Sequence, residues 1–167
     1  MSIEIVGKID LQKIIQEIET LDYHKHERYN IQGVEGKLDP LYTLSGKISN
    51  HTDAWSRDEY KNVPHTFGDF IHPIFDIPYV NSLILQYRLY NSALLYRGSG
   101  TCYSYHRDHG PRIHIPIYTN DKNFFVIQDE VFRLPADGSV YFVDTTKIHT
   151  FVNASADNRL HLVGYTQ

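Results

Sequence analysis

The chain has a single cysteine, Cys102. An intrachain disulfide is therefore excluded, as is a cysteine-based zinc site, and a reducing compartment fits. No apolar stretch approaches the roughly 20 residues that a membrane-spanning helix needs, so no membrane partner is expected. A strong charge excess is missing too. With a net charge of -4 and a pI near 6.2, the chain offers no broad positive field for phosphate backbones, which argues against a nucleic-acid partner. There is no internal repeat and no low-complexity tract. The opening stretch, Met1 to Glu19, mixes charged and apolar residues and does not read as a secretory signal, so the cytoplasm is the expected location.

What is present suits one folded domain over residues 1–167, with 41% apolar and 22% charged residues. Ser2 to Ile9 alternates like a short strand. Asp10 then caps a helix in which Leu11, Ile14, Ile15, Ile18 and Leu21 form one apolar stripe. That helix is expected to pack on a sheet and to carry no chemistry. From Asp22 to Pro78 the pattern dissolves into polar and aromatic pieces punctuated by Pro40, Pro64, Pro73 and Pro78, the kind of segment that forms functional surface. Asn81 to Tyr96, with Leu83, Leu85, Tyr87 and Leu89 in alternation, reads as a strand or two of unfixed register.

The later half is more regular. Ser99–Arg107, Arg112–Tyr118, Phe124–Phe132, Val140–Val143, His149–Asn153 and Leu160–Tyr165 are short β-branched and aromatic runs separated by turn formers. Residues 1–80 are thus read as a helix and loops flanking a barrel, and residues 81–167 as its strands. The expected fold is mainly β with flanking helices, a double-stranded β-helix of the jelly-roll or cupin type.

His106 and Asp108 are two residues apart, and on a strand such side chains point to one side. His149, 43 residues later, lies far enough along for the chain to return opposite them. Two imidazoles and one carboxylate make a facial set for Fe(II) with open coordination positions for oxygen chemistry. Arg159 follows ten residues after His149. A 2-oxoacid that binds iron through its keto and carboxylate oxygens leaves a distal carboxylate, which an arginine fork can meet with two parallel charge-assisted bonds. His161 lies on the same side of that strand and can add a donor. In Arg112-Ile113-His114-Ile115-Pro116-Ile117 the isoleucines form one face. If they pack against a helix or a second sheet, Arg112 and His114 look into the barrel mouth.

His106-Arg107-Asp108, Arg112-Ile113-His114-Ile115-Pro116, Gly138 before a strand, His149-x-x-x-Asn153 and Arg159-Leu160-His161-Leu162 together resemble the iron- and 2-oxoglutarate-dependent oxygenases. Within them they are most similar to the aspartyl/asparaginyl β-hydroxylase-like branch, which includes hydroxylases of free amino acids such as proline. The resemblance covers roughly residues 96–167, and the earlier half matches no motif. It implies His106, Asp108 and His149 as metal ligands and catalytic centre, and Arg159 as partner of the distal carboxylate. Arg112 and His114 are implied as further co-substrate contacts, although the interval from Asp108 to Arg112 is shorter than in some members. The implied cofactors are Fe(II), 2-oxoglutarate and O2. The implied activity is hydroxylation of an unactivated C–H bond in a small amino-acid-like or peptidyl substrate, with 2-oxoglutarate decarboxylated to succinate. Asp108 separates the chain from animal members that lack the carboxylate ligand and from halogenating relatives.

Two other readings stay open. One is a metal-dependent cupin isomerase or lyase, to which His149-x-x-x-Asn153 also fits, although the loop after His106 lacks a cupin's glutamate. The other is a non-catalytic jelly-roll binding module. Arg97 is read either as an anchor for a substrate carboxylate or as a cap on the barrel rim, and Trp55 as core packing or a substrate lid. His24, His26, His51, His65 and His72 are expected on the surface or in local bonds, and His109 in a loop.

Overall fold

The structure, a computed structural model, describes residues 1–42 and 65–167. The chain opens with strand β1 (Ile3–Lys8) and helix α1 (Leu11–Ile18), then the short strands β2 (Arg28–Asn30), β3 (Gln32–Gly33) and β4 (His72–Pro73). Helix α2 (Pro78–Gln86) precedes β5 (Leu89–Arg97), β6 (Thr101–Cys102), β7 (Arg112–Tyr118) and β8 (Asn123–Ile127). The last four are β9 (Glu130–Phe132), β10 (Ser139–Val143), β11 (His149–Asn153) and β12 (Arg159–Thr166). Asp10 caps α1 as its side chain predicts, accepting from Lys13 N at 3.4 Å. No helix among the described residues is long and apolar enough to cross a membrane.

A six-stranded antiparallel sheet runs in the order β1-β10-β7-β12-β5-β2, and a four-stranded one in the order β6-β11-β8-β9. The pairs are nested. β8 pairs with β9, β7 with β10, β6 with β11 and β5 with β12, and successive pairs alternate between the two sheets. Phe125, Ile127 and Phe151 of the smaller sheet pack on Tyr141 and Val143 of the larger one, so the sheets lie face to face as a β-sandwich. Among the described residues the ladders do not run continuously around it.

Strand alternation sorts the larger sheet into two chemically distinct faces. Ile113, Ile115, Ile117, Leu94, Leu160 and Leu162 point outward and bury against Ile14 and Ile18 of α1 and Val80, Leu83 and Ile84 of α2. Each fully buried Ile or Leu contributes about 1.5–3 kcal/mol relative to exposure. With the isoleucines committed to the helices, Arg112, His114, Arg159 and His161 face the opposing sheet.

Three segments differ from the sequence expectation. Residues 78–86 form a helix rather than the start of a strand. Pro78 sits in the first turn, where its missing N–H costs nothing, and Glu17 accepts from the N–H groups of Tyr79 and Val80, which have no partner within the helix. Val80, Leu83 and Ile84 fall on one helical face while Leu85 is 80% exposed, so the apparent alternation of leucines misleads. The run Phe124–Phe132 is a hairpin, because Gln128 adopts a φ of 55° and turns the chain where no glycine announces it. Finally, only Thr101–Cys102 of Ser99–Arg107 lies in a ladder, and the chain leaves the sheet before meeting it again at His106.

Candidate metal centre

His106 and His149 face each other across an isolated antiparallel bridge. His106 N donates to His149 O at 3.0 Å and His149 N to His106 O at 2.9 Å, fixing both backbones. Asp108 N donates to Thr145 O at 2.9 Å, and Thr145 Oγ1 donates to Gly110 O at 2.8 Å, so the loop after His106 is tied to the β10–β11 connection. His106 and Asp108 therefore converge without a continuous strand between them; the bridge and the Thr145 bond supply what the ladder does not.

The result is one cluster. His106 Nε2 is 3.6 Å from Asp108 Oδ1 and His149 Nε2 is 3.6 Å from Asp108 Oδ2, and the three ligand atoms all lie within 4.8 Å of one another. His106 Nδ1 lies 2.7 Å from Ser104 O, and His149 Nδ1 lies 2.8 Å from Lys147 O. A carbonyl only accepts, so each Nδ1 carries the proton and each Nε2 presents its lone pair to the shared centre. Burial holds the His149 imidazole below the ordinary histidine value, favouring the neutral form a metal needs. Arg112 Nε is 3.0 Å from Asp108 Oδ2 as an ion pair, but the N–H is misaligned and that oxygen accepts no hydrogen bond. A buried carboxylate oxygen left open beside two imidazole lone pairs fits a divalent cation. His106 is 38% exposed against 8% for Asp108 and 5% for His149, so the centre is approached from the His106 side.

A cavity of about 260 Å³ adjoins this cluster, with His106, His149, Arg112, His114 and Arg159 all in its wall. Arg159 is 1% exposed, and its Nε and Nη1 have no hydrogen-bond partner. Its Cζ lies 3.7 Å from the centroid of the Phe151 ring. Burial pushes its pKa down to about 10, with Arg97 adding to the lowering. A buried guanidinium with unmet donors is costly, and an anion in the cavity would offset that cost.

Behind it, His114 Nδ1 lies 3.2 Å from His161 Nδ1. Burial, then Arg159, holds both rings well below the ordinary histidine value, so both are neutral. Two neutral rings joined through Nδ1 share one proton there. One Nε2 is then a donor and the other an acceptor, and neither has a partner. Arg112 donates from Nη2 to the Tyr165 hydroxyl at 2.6 Å and stacks on that ring, with Cζ 4.5 Å from its centroid.

The other sequence candidates fall outside this set. Arg97 forms an ion pair with Glu27 and covers the Tyr103 ring at 3.4 Å, so it serves as framework. Asn153 Nδ2 binds the carbonyls of Arg97, Gly98 and Asp157, which is also a framework role. His109 stacks on Phe67, with centroids 4.6 Å apart. His24 stacks on Tyr23, His26 on Tyr29, and His65 meets Tyr42 edge-on. His51 and Trp55 lie outside the described residues. The sequence did not mark Glu27, Arg28, Tyr103, Phe125, Thr145 or Phe151, which also line the cavity. Glu27 and Arg28 lie in a stretch without periodicity, where nothing local signals proximity to a histidine nearly eighty residues later.

No protein-family description matches the chain. No curated protein matches it either. Among solved structures it is similar to a predicted oxalate decarboxylase from Thermotoga maritima, with 16% identity, 51% of this chain and 72% of that chain covered, and a TM-score of 0.39. A likeness at that level carries no argument about activity, and the case for a metal centre rests on the His106, Asp108 and His149 geometry.

Proposed function

We propose that the chain is an Fe(II)- and 2-oxoglutarate-dependent oxygenase built on a double-stranded β-helix. The nested strand pairs, alternating between two sheets, support the fold. The observation that carries the activity is the unpartnered Arg159 guanidinium in the wall of the same cavity as His106 and His149.

In this reading His106 and His149 bind iron through Nε2 and Asp108 through its carboxylate. Arg112 holds that carboxylate in place as its ion-pair partner. Arg159 takes the distal carboxylate of 2-oxoglutarate as a fork, each charge-assisted bond contributing about 1.5–3 kcal/mol. The neutral His114–His161 pair adds a donor without adding charge. Phe125 and Phe151 exclude water and strengthen the charge interactions within. Iron held by these three residues would supply the oxidising chemistry, the cofactor's own contribution. Hydroxylation of a C–H bond on a small substrate, with release of succinate, is the outcome.

A second reading is a metal-dependent cupin isomerase or lyase acting on one small carboxylate. The size of the cavity favours it, since about 260 Å³ falls just below the usual range for ligand pockets and suits a single small molecule. Anaerobic addition of ferrous iron, then 2-oxoglutarate, separates the two. The first reading expects a weak visible charge-transfer band that is lost in Asp108→Ala and much weakened in Arg159→Ala. Metal binding without the band leaves the second reading, and no stoichiometric metal removes both.

A further inference from the structure

We infer that Arg28 anchors the primary substrate through a carboxylate, in the part of the cavity away from Arg159. This rests on the oxygenase reading above, which needs a second small molecule near the metal. Arg28 lies on β2 opposite Leu95 of β5, and Leu95 lies opposite His161 of β12. Directly paired residues share a face, so Arg28 belongs to the same inward row as the histidine pair. It lines the cavity with His106, His149 and Arg112.

Its side chain runs along the sheet, away from Arg159. Nε donates to Asn30 Oδ1 at 2.9 Å and Nη2 to the Asn91 carbonyl at 2.7 Å. Asn91 has a φ of 51°, and the β5–β12 register shifts beside it. That turn takes its carbonyl out of the ladder and frees it to hold a guanidinium. Arg159, by contrast, pairs with Arg97, six residues further along β5 and roughly 20 Å of strand away.

The electrostatic neighbours agree with the placement. Among the described residues, Arg112, Tyr165, Tyr103 and Asp108 act on Arg28, whereas Tyr103 and Arg97 act on Arg159. Burial, then Arg112, pushes the Arg28 guanidinium down to about 10. Two arginines thus line the cavity at separate places along β5: one suits the distal end of a co-substrate, and the other suits an acid group on the molecule to be oxidised. Asn30 and Asn91 set the guanidinium plane before any ligand arrives, which lowers the ordering cost of binding.

The test uses the anaerobic protein loaded with ferrous iron and 2-oxoglutarate, and reads the shift of the visible band rather than turnover. The probes are the common amino acids and simple 2-hydroxy acids, each beside its own carboxamide. At least one acid should shift the band while its carboxamide does not. Arg28→Met should raise the concentration of that acid needed by about 10–100-fold, the factor for one lost charge-assisted bond, with the affinity for 2-oxoglutarate unchanged. Arg28→Lys should recover part of the loss. The assignment is overturned if no acid shifts the native band, if carboxamides act as well as acids, or if Arg28→Met responds like the native protein. Should Arg28→Met fail to fold, Arg28→Lys and the acid–amide comparison on native protein decide. Absence of any band in the loaded native protein is a different failure, that of the oxygenase reading itself, and removes the assignment with it.

Discussion

His106 and His149 meet as a hydrogen-bonded antiparallel pair, and each turns its Nδ1 onto a carbonyl two residues earlier in its own chain. The two imidazoles are thereby held with their centroids 4.4 Å apart and both Nε2 atoms inward. Backbone bonds hold this arrangement, so it exists before any ion binds and depends little on side-chain packing.

Metal binding should therefore fail without loss of fold when one ligand is removed. His149→Ala is expected to bind less than a tenth of the native stoichiometry of ferrous iron, with an unchanged far-ultraviolet spectrum. Arg112→Met, which spares the ligands but releases Asp108, should weaken iron by about 10–100-fold. Metal analysis after dialysis measures both, and full retention of iron in His149→Ala would refute the ligand set.

Arg159 makes opposite predictions for stability and binding. Without a ligand its guanidinium is buried with unmet donors, so Arg159→Met should leave the metal-free protein as stable or more stable, by up to about 1–4 kcal/mol in urea unfolding. The same variant should lose 2-oxoglutarate binding, and Arg159→Lys should raise the requirement by about 10–100-fold. A strongly destabilised Arg159→Met would make the residue a structural one.

Stability should fall on acidification. His114 and His161 are held neutral in the folded protein, well below the ordinary value of 6.5. Above that value neither state gains protons and stability is flat. Below it the unfolded chain takes up protons that the folded pair refuses, so stability drops by about 1.4 kcal/mol per pH unit for each histidine. Urea melts between about pH 7 and pH 5 should show this slope, and His161→Phe should make it shallower. An unchanged slope in that variant would assign the acid sensitivity elsewhere.

Gly138 gives a test of the fold alone. Its φ is 84°, and an added Cβ would sit 2.8 Å from Ile9 O, the residue whose N–H bonds Gly138 O at 2.8 Å. Gly138→Ala should cost about 1–3 kcal/mol in unfolding free energy while leaving iron affinity intact.

Much of this was legible before folding. The strands His149–Asn153 and Arg112–Tyr118 emerge with their observed ends because β-branched and aromatic runs stop at clear turn formers. The split of Arg112 and His114 from the isoleucines follows from alternation alone, and what the helices cover selects the inner face. Alternation failed at residues 81–86, where Val80, Leu83 and Ile84 form the buried helical face and Leu85 is left exposed once Pro78 and Glu17 start the turn. It failed again at Gln128, whose left-handed turn has no glycine to mark it.

Residue type and spacing along the chain were enough to single out His106, Asp108, His149 and Arg159 as candidates, since metal and carboxylate chemistry restrict the side chains that serve. Only the folded sheets decided that Arg97 turns to Glu27, that Arg112 holds Asp108 and Tyr165, and that Arg28 enters the same cavity. Those outcomes depend on cross-strand register and on a carbonyl turned out of β5. Both are set by contacts between segments distant in the chain, which no local pattern encodes.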